Sequence, residues 1–276
     1  MTAATSRSPR SSPDAPGSWR SRWRRLTPAR RWTLRLASVG VLLLAWEIYG
    51  QLLNPILLSS PTAVVSAGAD MIADGSLPQA MAESLVVLGL GLASGVIVGV
   101  TVGLMAGRSE ALAALLEFPV SALYATPAVA LIPIVVLWFG FEMLAKVVVV
   151  FLFVVFPVLI NTMRGVREVD PELIEVARSF CSNERRMWRD LILPSALPYI
   201  VTGIRIAIGR ALIGVIVAEY YTALSGLGFL IAKSANSFQT ARMFVPIVVI
   251  ALLGVVLTAL LEWAERHLVR WRETPP

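Results

Sequence analysis

The chain has 276 residues, of which 57% are hydrophobic and only 15% charged, with a mean hydropathy of +0.73. A soluble domain carries about 25% charged residues, so this composition excludes a disordered chain and argues against a soluble nucleic-acid binder; it points to an integral membrane protein. The basic balance, 24 Lys and Arg against 18 Asp and Glu with a pI near 10.1, then needs its own explanation.

That explanation lies at the N-terminus. Residues 1–35 hold nine arginines and one acid, Asp14, whereas the remaining 241 residues hold 15 basic and 17 acidic side chains. The arm over residues 1–33, rich in Arg, Ser and Pro, reads as disordered. An Arg-rich arm beside an apolar run is a signal for retention in the cytoplasm, and it suits an anionic lipid surface. No folded reading element accompanies it, so no nucleic-acid partner is expected. The apolar run from Leu36 to Trp46 is short enough for a signal-peptide core, but Glu47 and Tyr49 follow it rather than a small-residue cleavage site. It is read as an uncleaved first helix.

A membrane-spanning helix needs roughly 20 apolar residues. Six stretches qualify, at about 34–53, 84–106, 112–139, 145–163, 196–222 and 246–264, with a tail over 266–276. In the second, Gly91, Gly95, Gly99 and Gly103 recur every four residues and give a small-residue face for close packing. The third is interrupted by Pro119, Pro127 and Pro133, and reads as a kinked helix or as a short helix plus a span. The interval 54–83 has no Lys or Arg, while 164–195 has six arginines. Placing the N-terminus inside puts 19 basic residues inside and three outside, with Arg205 and Arg210 inside the fifth span. This asymmetry predicts cytoplasmic N- and C-termini.

The 164–195 interval is then a cytoplasmic loop. After Pro171, the residues Leu173, Ile174, Ala177 and Phe180 fall at helical spacing, and Met187, Trp188, Leu191 and Ile192 do so within Glu184–Leu193. Two short amphipathic helices joined by a turn are predicted, with the mixed charges favouring a partner's groove over a lipid surface.

Residues for chemistry are sparse. Cys181 is the only cysteine and His267 the only histidine, no cluster has catalytic or metal-binding spacing, and no G-x-x-x-x-G-K-[ST] loop is present. No enzyme, metal site or cofactor is expected in this chain. Arg205 and Arg210 are costly inside a membrane; they supply a positive field for an anion, or pair with Glu219, Glu117 or a partner subunit. Glu219 gates or caps its span. Pro127, Pro133 and Phe139 shape a pore-side helix or are ordinary kinks. From these residues alone an ion-coupled secondary transporter and a non-transporting scaffold stay open, although no inverted repeat is visible.

The loop sequence adds a resemblance. Glu175-Val176-Ala177 is followed by Cys181 and then by Leu193-Pro194. This resembles the EAA loop of permease subunits of ATP-binding-cassette (ABC) importers, in which E-A-A is followed by Gly and I-x-L-P. Val176 replaces the middle Ala, Leu191 the Ile, and Cys181 the Gly. If that turn needs a left-handed backbone, Cys181 costs on the order of 1 kcal/mol; otherwise the turn has another shape. Leu58–Val64, Thr126–Pro133, Leu137-Trp138-Phe139-Gly140, Gly203-Ile204-Arg205 through Arg210-Ala211, Ala218-Glu219 and Ser225-Gly226-Leu227-Gly228 resemble the nitrate, sulfonate and taurine branch. The likeness covers roughly residues 55–265.

The resemblance implies an all-α polytopic helical bundle, the type I importer transmembrane domain, in the bacterial inner membrane. It implies a second permease copy, two ATPase subunits that bind ATP and Mg, and an extracytoplasmic substrate-binding protein. The cargo would be a small anion or zwitterion such as a sulfonate, nitrate, taurine or an organic carboxylate. Leu173 and Phe180 would anchor the loop in the ATPase, Glu175 would make a charged contact and Ala177 would permit close approach, with Cys181, Leu193 and Pro194 completing the motif. Pro127, Pro133, Phe139, Arg205, Arg210 and Glu219 are candidate path residues.

Overall fold

The structure, a computed structural model, describes residues 28–222 and 224–268. The arm before residue 28 and the tail after 268, expected to be disordered and cytoplasmic respectively, lie outside the described residues. The chain divides into two units, 1–46 and 47–276. The first contributes the start of helix α1, Pro28–Leu52, whose apolar run is long enough to span a membrane.

Every regular element among the described residues of the second unit is a helix. The unit contains α2 (Pro61–Ala73), α3 (Ser76–Arg108), α4 (Glu110–Ala125), α5 (Ile132–Phe139), α6 (Met143–Arg167), α7 (Pro171–Ser179), α8 (Glu184–Met187), α9 (Leu193–Thr222), α10 (Leu227–Asn236) and α11 (Thr240–Leu268). The amphipathic helices α2 and α10 fall in intervals read from the sequence as connections. Ser60 accepts from the Ala63 N–H at the start of α2, and Pro61 occupies the first turn, where its missing N–H costs nothing.

The centre of the unit is α3 against α6. Gly91 faces Val150, Gly95 faces Val154, Gly99 faces Val158, Gly103 faces Thr162 and Gly107 faces Val166. A Cβ on any of these glycines would lie between 2.5 and 2.9 Å from an atom of α6. The absence of side chains lets the two backbones meet, so that dispersion replaces a hydrophobic drive that lipid cannot supply. Both residue numbers rise together along the contact, so α3 and α6 run parallel. The 109–142 segment leaves the C-terminal end of α3 and must reach the N-terminal end of α6; it therefore travels back across the whole contact.

It does so as a broken rod. α4 and the segment Ala128–Phe139 meet at 92°. The stretch 112–139, expected as a kinked helix or as a short helix plus a span, breaks at Pro127: Thr126 is extended, and Pro127, whose ring cannot continue the helix, precedes a short 3-10 turn over Ala128–Leu131. Among the described residues, five helices are long and apolar enough to span, and six segments are if the bent pair counts as one span.

α9 packs antiparallel on α6. Gly165 meets Tyr199, Gly203 meets Asn161, and Gly214 meets Phe153. Val87, Leu88, Val150, Val154, Val158, Ala207, Ala211 and Val215 form the buried core between α3, α6 and α9. Pro157 lies inside α6, and the Asn161 side chain donates to its carbonyl at 2.8 Å. α11 runs antiparallel to α9, with Gly254 against Leu212.

Candidate coupling helix and translocation groove

Helix α7 begins on Asp170, whose side chain accepts from the Glu172 N–H at 2.9 Å, with Pro171 next and Glu172 in the first turn. Each of these favours a helix start. One side of α7 meets the core, where Ile174 packs against the cluster formed by Val166, Met187, Ile192, Ala196 and Ile200. The other side is open, with Leu173 49%, Val176 51% and Phe180 80% exposed. Glu175 is also exposed and Ala177 is half-buried. Of the loop residues expected to act together, Leu173, Ala177 and Phe180 follow one face of α7 with Val176, whereas Glu175 falls on another side, and Leu193 and Pro194 lie beyond the turn.

The turn after α7 answers the question that Cys181 raised. Cys181 has φ of 54°, in the left-handed region. The Ser182 N–H donates to the Ala177 carbonyl at 3.0 Å and the Cys181 N–H to the Arg178 carbonyl at 2.8 Å. These two bonds define a Schellman cap, in which this position normally takes glycine. Cys181 stands in the glycine's conformation and bears its strain. Phe238, with φ of 54°, closes α10 with the same bond pair, Gln239 to Ser234 and Phe238 to Ala235.

The second half of the predicted loop is not a separate helix. From Glu184 to Thr222 the helix is continuous over 39 residues, through a stretch of wider π-type turns at Trp188–Ile192. The wider turns accommodate Pro194, which has no N–H to donate to the preceding turn. Leu193 and Pro194 therefore lie on α9 itself. The Arg108 guanidinium, at the end of α3, pairs with Glu184 at 2.9 Å.

At the far end of α9, Glu219 is fully buried. Its carboxylate accepts from the Ser84 hydroxyl at 2.7 and 2.9 Å and from the Gly228 N–H at 2.8 Å. Ser84 in turn accepts from the Leu227 N–H at 2.8 Å. The buried Lys146 ammonium donates to the Ser225 hydroxyl at 2.9 Å and to its carbonyl at 3.2 Å. The turn Ser225-Gly226-Leu227-Gly228 is thus fastened from α3, α6 and α9. Gly226 has φ of 100°, and a Cβ there would collide with the Glu219 carboxylate.

The two intramembrane arginines do not pair with Glu219 or Glu117. Arg205 forms a salt bridge with Glu265 of α11. Arg210 donates to the Tyr124 hydroxyl at 2.8 Å, with its guanidinium carbon 4.5 Å from the ring centroid. Arg210 and Tyr124 line a groove of about 290 Å³ at the α4–α5 break, with Thr126, Pro127, Leu152, Phe153, Phe156 and Ile213. A second groove of about 510 Å³ lies beside Pro133, Leu137, Phe141 and Tyr221. Of the candidate path residues, Pro127 and Arg210 come together, Pro133 lies in the second groove, Phe139 is exposed near it, and Arg205 and Glu219 stand apart. Tyr124, Tyr221, Ser84 and Lys146 were not singled out as site residues from the sequence. Only Lys146, as a lone cation in a short loop, carried a signal.

Among the described residues, five membrane-length helices, a bent pair at the groove and an exposed helix on one end define a polytopic membrane protein. Residues 95–273 match the family described as the binding-protein-dependent transport system inner membrane component. The chain belongs to that family. It is 36% identical over 251 residues to an Escherichia coli permease named for aliphatic sulfonate transport, covering 89% of this chain and 95% of that one. It is 32% identical to the Escherichia coli taurine transport system permease, covering 88% and 91% of the two chains. Among solved structures, a crystal structure of an amino acid ABC transporter shares the fold with a TM-score of 0.53, at 21% identity over 69% of this chain and 91% of that chain. This protein is a multi-pass inner-membrane permease of an ATP-driven importer.

Proposed function

We propose that this permease carries small organic anions, sulfonates first, and is driven by separate ATPase subunits that dock on α7. In this reading two copies line the path, two ATPases hold ATP and Mg, and an extracytoplasmic protein delivers cargo. In the same reading both termini and α7 face the cytoplasm, which the excess of basic residues on that side supports. The relatives named for sulfonate and taurine transport support the cargo class.

The observation that carries the coupling role is the open side of α7. A helix that packs Ile174 on the core and leaves Leu173, Val176 and Phe180 exposed has the form of a ligand for a partner's groove. Its mechanical connection runs through the Ile174 cluster into α8 and then, without a break, into α9. A displacement of α7 by ATPase closure would move α9, which carries Arg210 and Glu219. ATP would favour one arrangement of the spans through its tighter binding to the closed ATPase pair.

The test is uptake and ATP hydrolysis by the whole complex in proteoliposomes. Glu175→Lys and Ala177→Arg should reduce uptake about tenfold or more while leaving the permease's melting temperature unchanged, because both side chains sit outside the packed core. Uptake at the unsubstituted rate in both variants would refute docking on α7.

A further inference from the structure

We infer that Arg210 and Tyr124 form an oxyanion subsite, which receives the charged head of the cargo at the α4–α5 break. The inference rests on the reading that this permease carries small organic anions, and adds where the anion is held.

The two arginines of α9 are in opposite electrostatic situations. Arg205 has a carboxylate partner in Glu265. Arg210, among the described residues, is in no ion pair, and its hydrogen bond goes to the neutral hydroxyl of Tyr124. A cation in a membrane segment is costly and is normally matched by an opposite charge. A guanidinium is a planar fork of N–H donors, and one of them is engaged on Tyr124. The others remain to bind two oxygens of one anion side by side, the geometry in which arginine surpasses lysine.

Tyr124 fits the same purpose. Its oxygen accepts from Arg210, so its own O–H remains free to donate to a further anion oxygen. Its ring lies over the guanidinium, which keeps the fork in place between cargo molecules. Around this polar pair the groove is lined by Leu123, Leu152, Phe153, Phe156 and Ile213, a wall suited to a short alkyl chain. The volume of about 290 Å³ holds a molecule of a few carbon atoms with one oxyanion head. The groove therefore favours an organic sulfonate over a bare inorganic anion, because only the former uses its apolar wall. Because Pro127 ends α4 beside Tyr124, the bend sets the position of the tyrosine.

The test uses the complete complex in proteoliposomes, with ATP inside and its binding protein outside, and labelled taurine and ethanesulfonate as probes. Uptake is read together with the ATPase stimulation caused by cargo-loaded binding protein, which reports assembly. Arg210→Gln should lower uptake about tenfold to a hundredfold while stimulation persists, the size expected for a lost hydrogen bond to a charged group. Arg210→Lys should recover part of the loss. Tyr124→Phe, which keeps the ring, should raise the KM severalfold with little change in the maximal rate. Wild-type uptake in Arg210→Gln overturns the inference. So does loss of uptake together with stimulation in Arg210→Gln when Tyr124→Phe behaves as wild type. If the unsubstituted complex carries neither probe, the sulfonate reading itself fails and the subsite falls with it.

Discussion

The two ends of α9 are built on opposite rules. At one end Glu219 is buried, and Ser84 and the Gly228 N–H satisfy its carboxylate from α3 and the following turn. At the other end α9 merges with α8, and the α7 beside it leaves Phe180 and Val176 exposed. A buried polar group is tolerated only if its hydrogen bonds are complete within the protein. An exposed apolar group outside the bilayer is tolerated if something else covers it. The first end is thus satisfied within this chain, and the second leaves an apolar side of α7 that the proposed ATPase would cover. If the ATPase docks there, α9, fastened at Glu219, would carry its movement into the membrane.

Four substitutions test this contrast, in order of expected effect. Gly95→Leu drives a side chain into Val154, where a Cβ alone would lie 2.6 Å away. Overpacking of this kind costs about 1–3 kcal/mol or more, and here it separates two parallel spans. Loss of folded protein in detergent is expected, and Gly95→Leu protein melting as wild type would show that the contact is not close. Next, Ser84→Ala removes a donor to Glu219 and orphans the Leu227 N–H, at about 1–3 kcal/mol. Thermal unfolding should show it, while Glu175→Lys on the exposed side of α7 should show nothing.

Cys181→Gly is smaller and of opposite sign. Replacing a strained left-handed residue by glycine should gain about 0.5–1 kcal/mol, with uptake retained. An unchanged or lower melting temperature would mean that the cysteine's conformation is not strained. The least effect belongs to Asp74, at the turn between α2 and α3. Its carboxylate is held below the usual carboxylate range by the hydrogen bonds of Ser76 and then by Arg242, 3.2 Å away. The folded state favours the ionised form, so the contribution is complete at neutral pH. It fades as pH falls below the ordinary carboxylate range and through the lowered folded value. Asp74→Asn should remove a small part of the acid sensitivity of unfolding, seen as a slightly flatter stability curve below about pH 4.

Much of this was legible in the sequence because the membrane restricts the alternatives. Apolar length gives spans, and glycine every four residues gives a packing face; the face was read correctly from Gly91, Gly95, Gly99 and Gly103, and Gly107 extends it. The spacing of Leu173, Ile174, Ala177 and Phe180 gave α7, since amphipathic period is a local property. The prolines at 119, 127 and 133 left a kink or a break equally open. Pro119 is carried inside α4, whereas Pro127 follows its end, and the sequence pattern alone does not separate the two.

The sequence by itself determined a basic arm on a slightly acidic membrane body, the helical class and the loop that resembles a coupling element. Composition, period and charge asymmetry are summed along the chain and need no contacts. Only the tertiary structure decided that α3 and α6 run parallel, that Arg205 is neutralised by Glu265 while Arg210 meets Tyr124, and that Glu219 fastens a turn. These pairings join residues 60, 86 and 9 positions apart. Which acid meets which base at such separations depends on helix register, and register is set by packing.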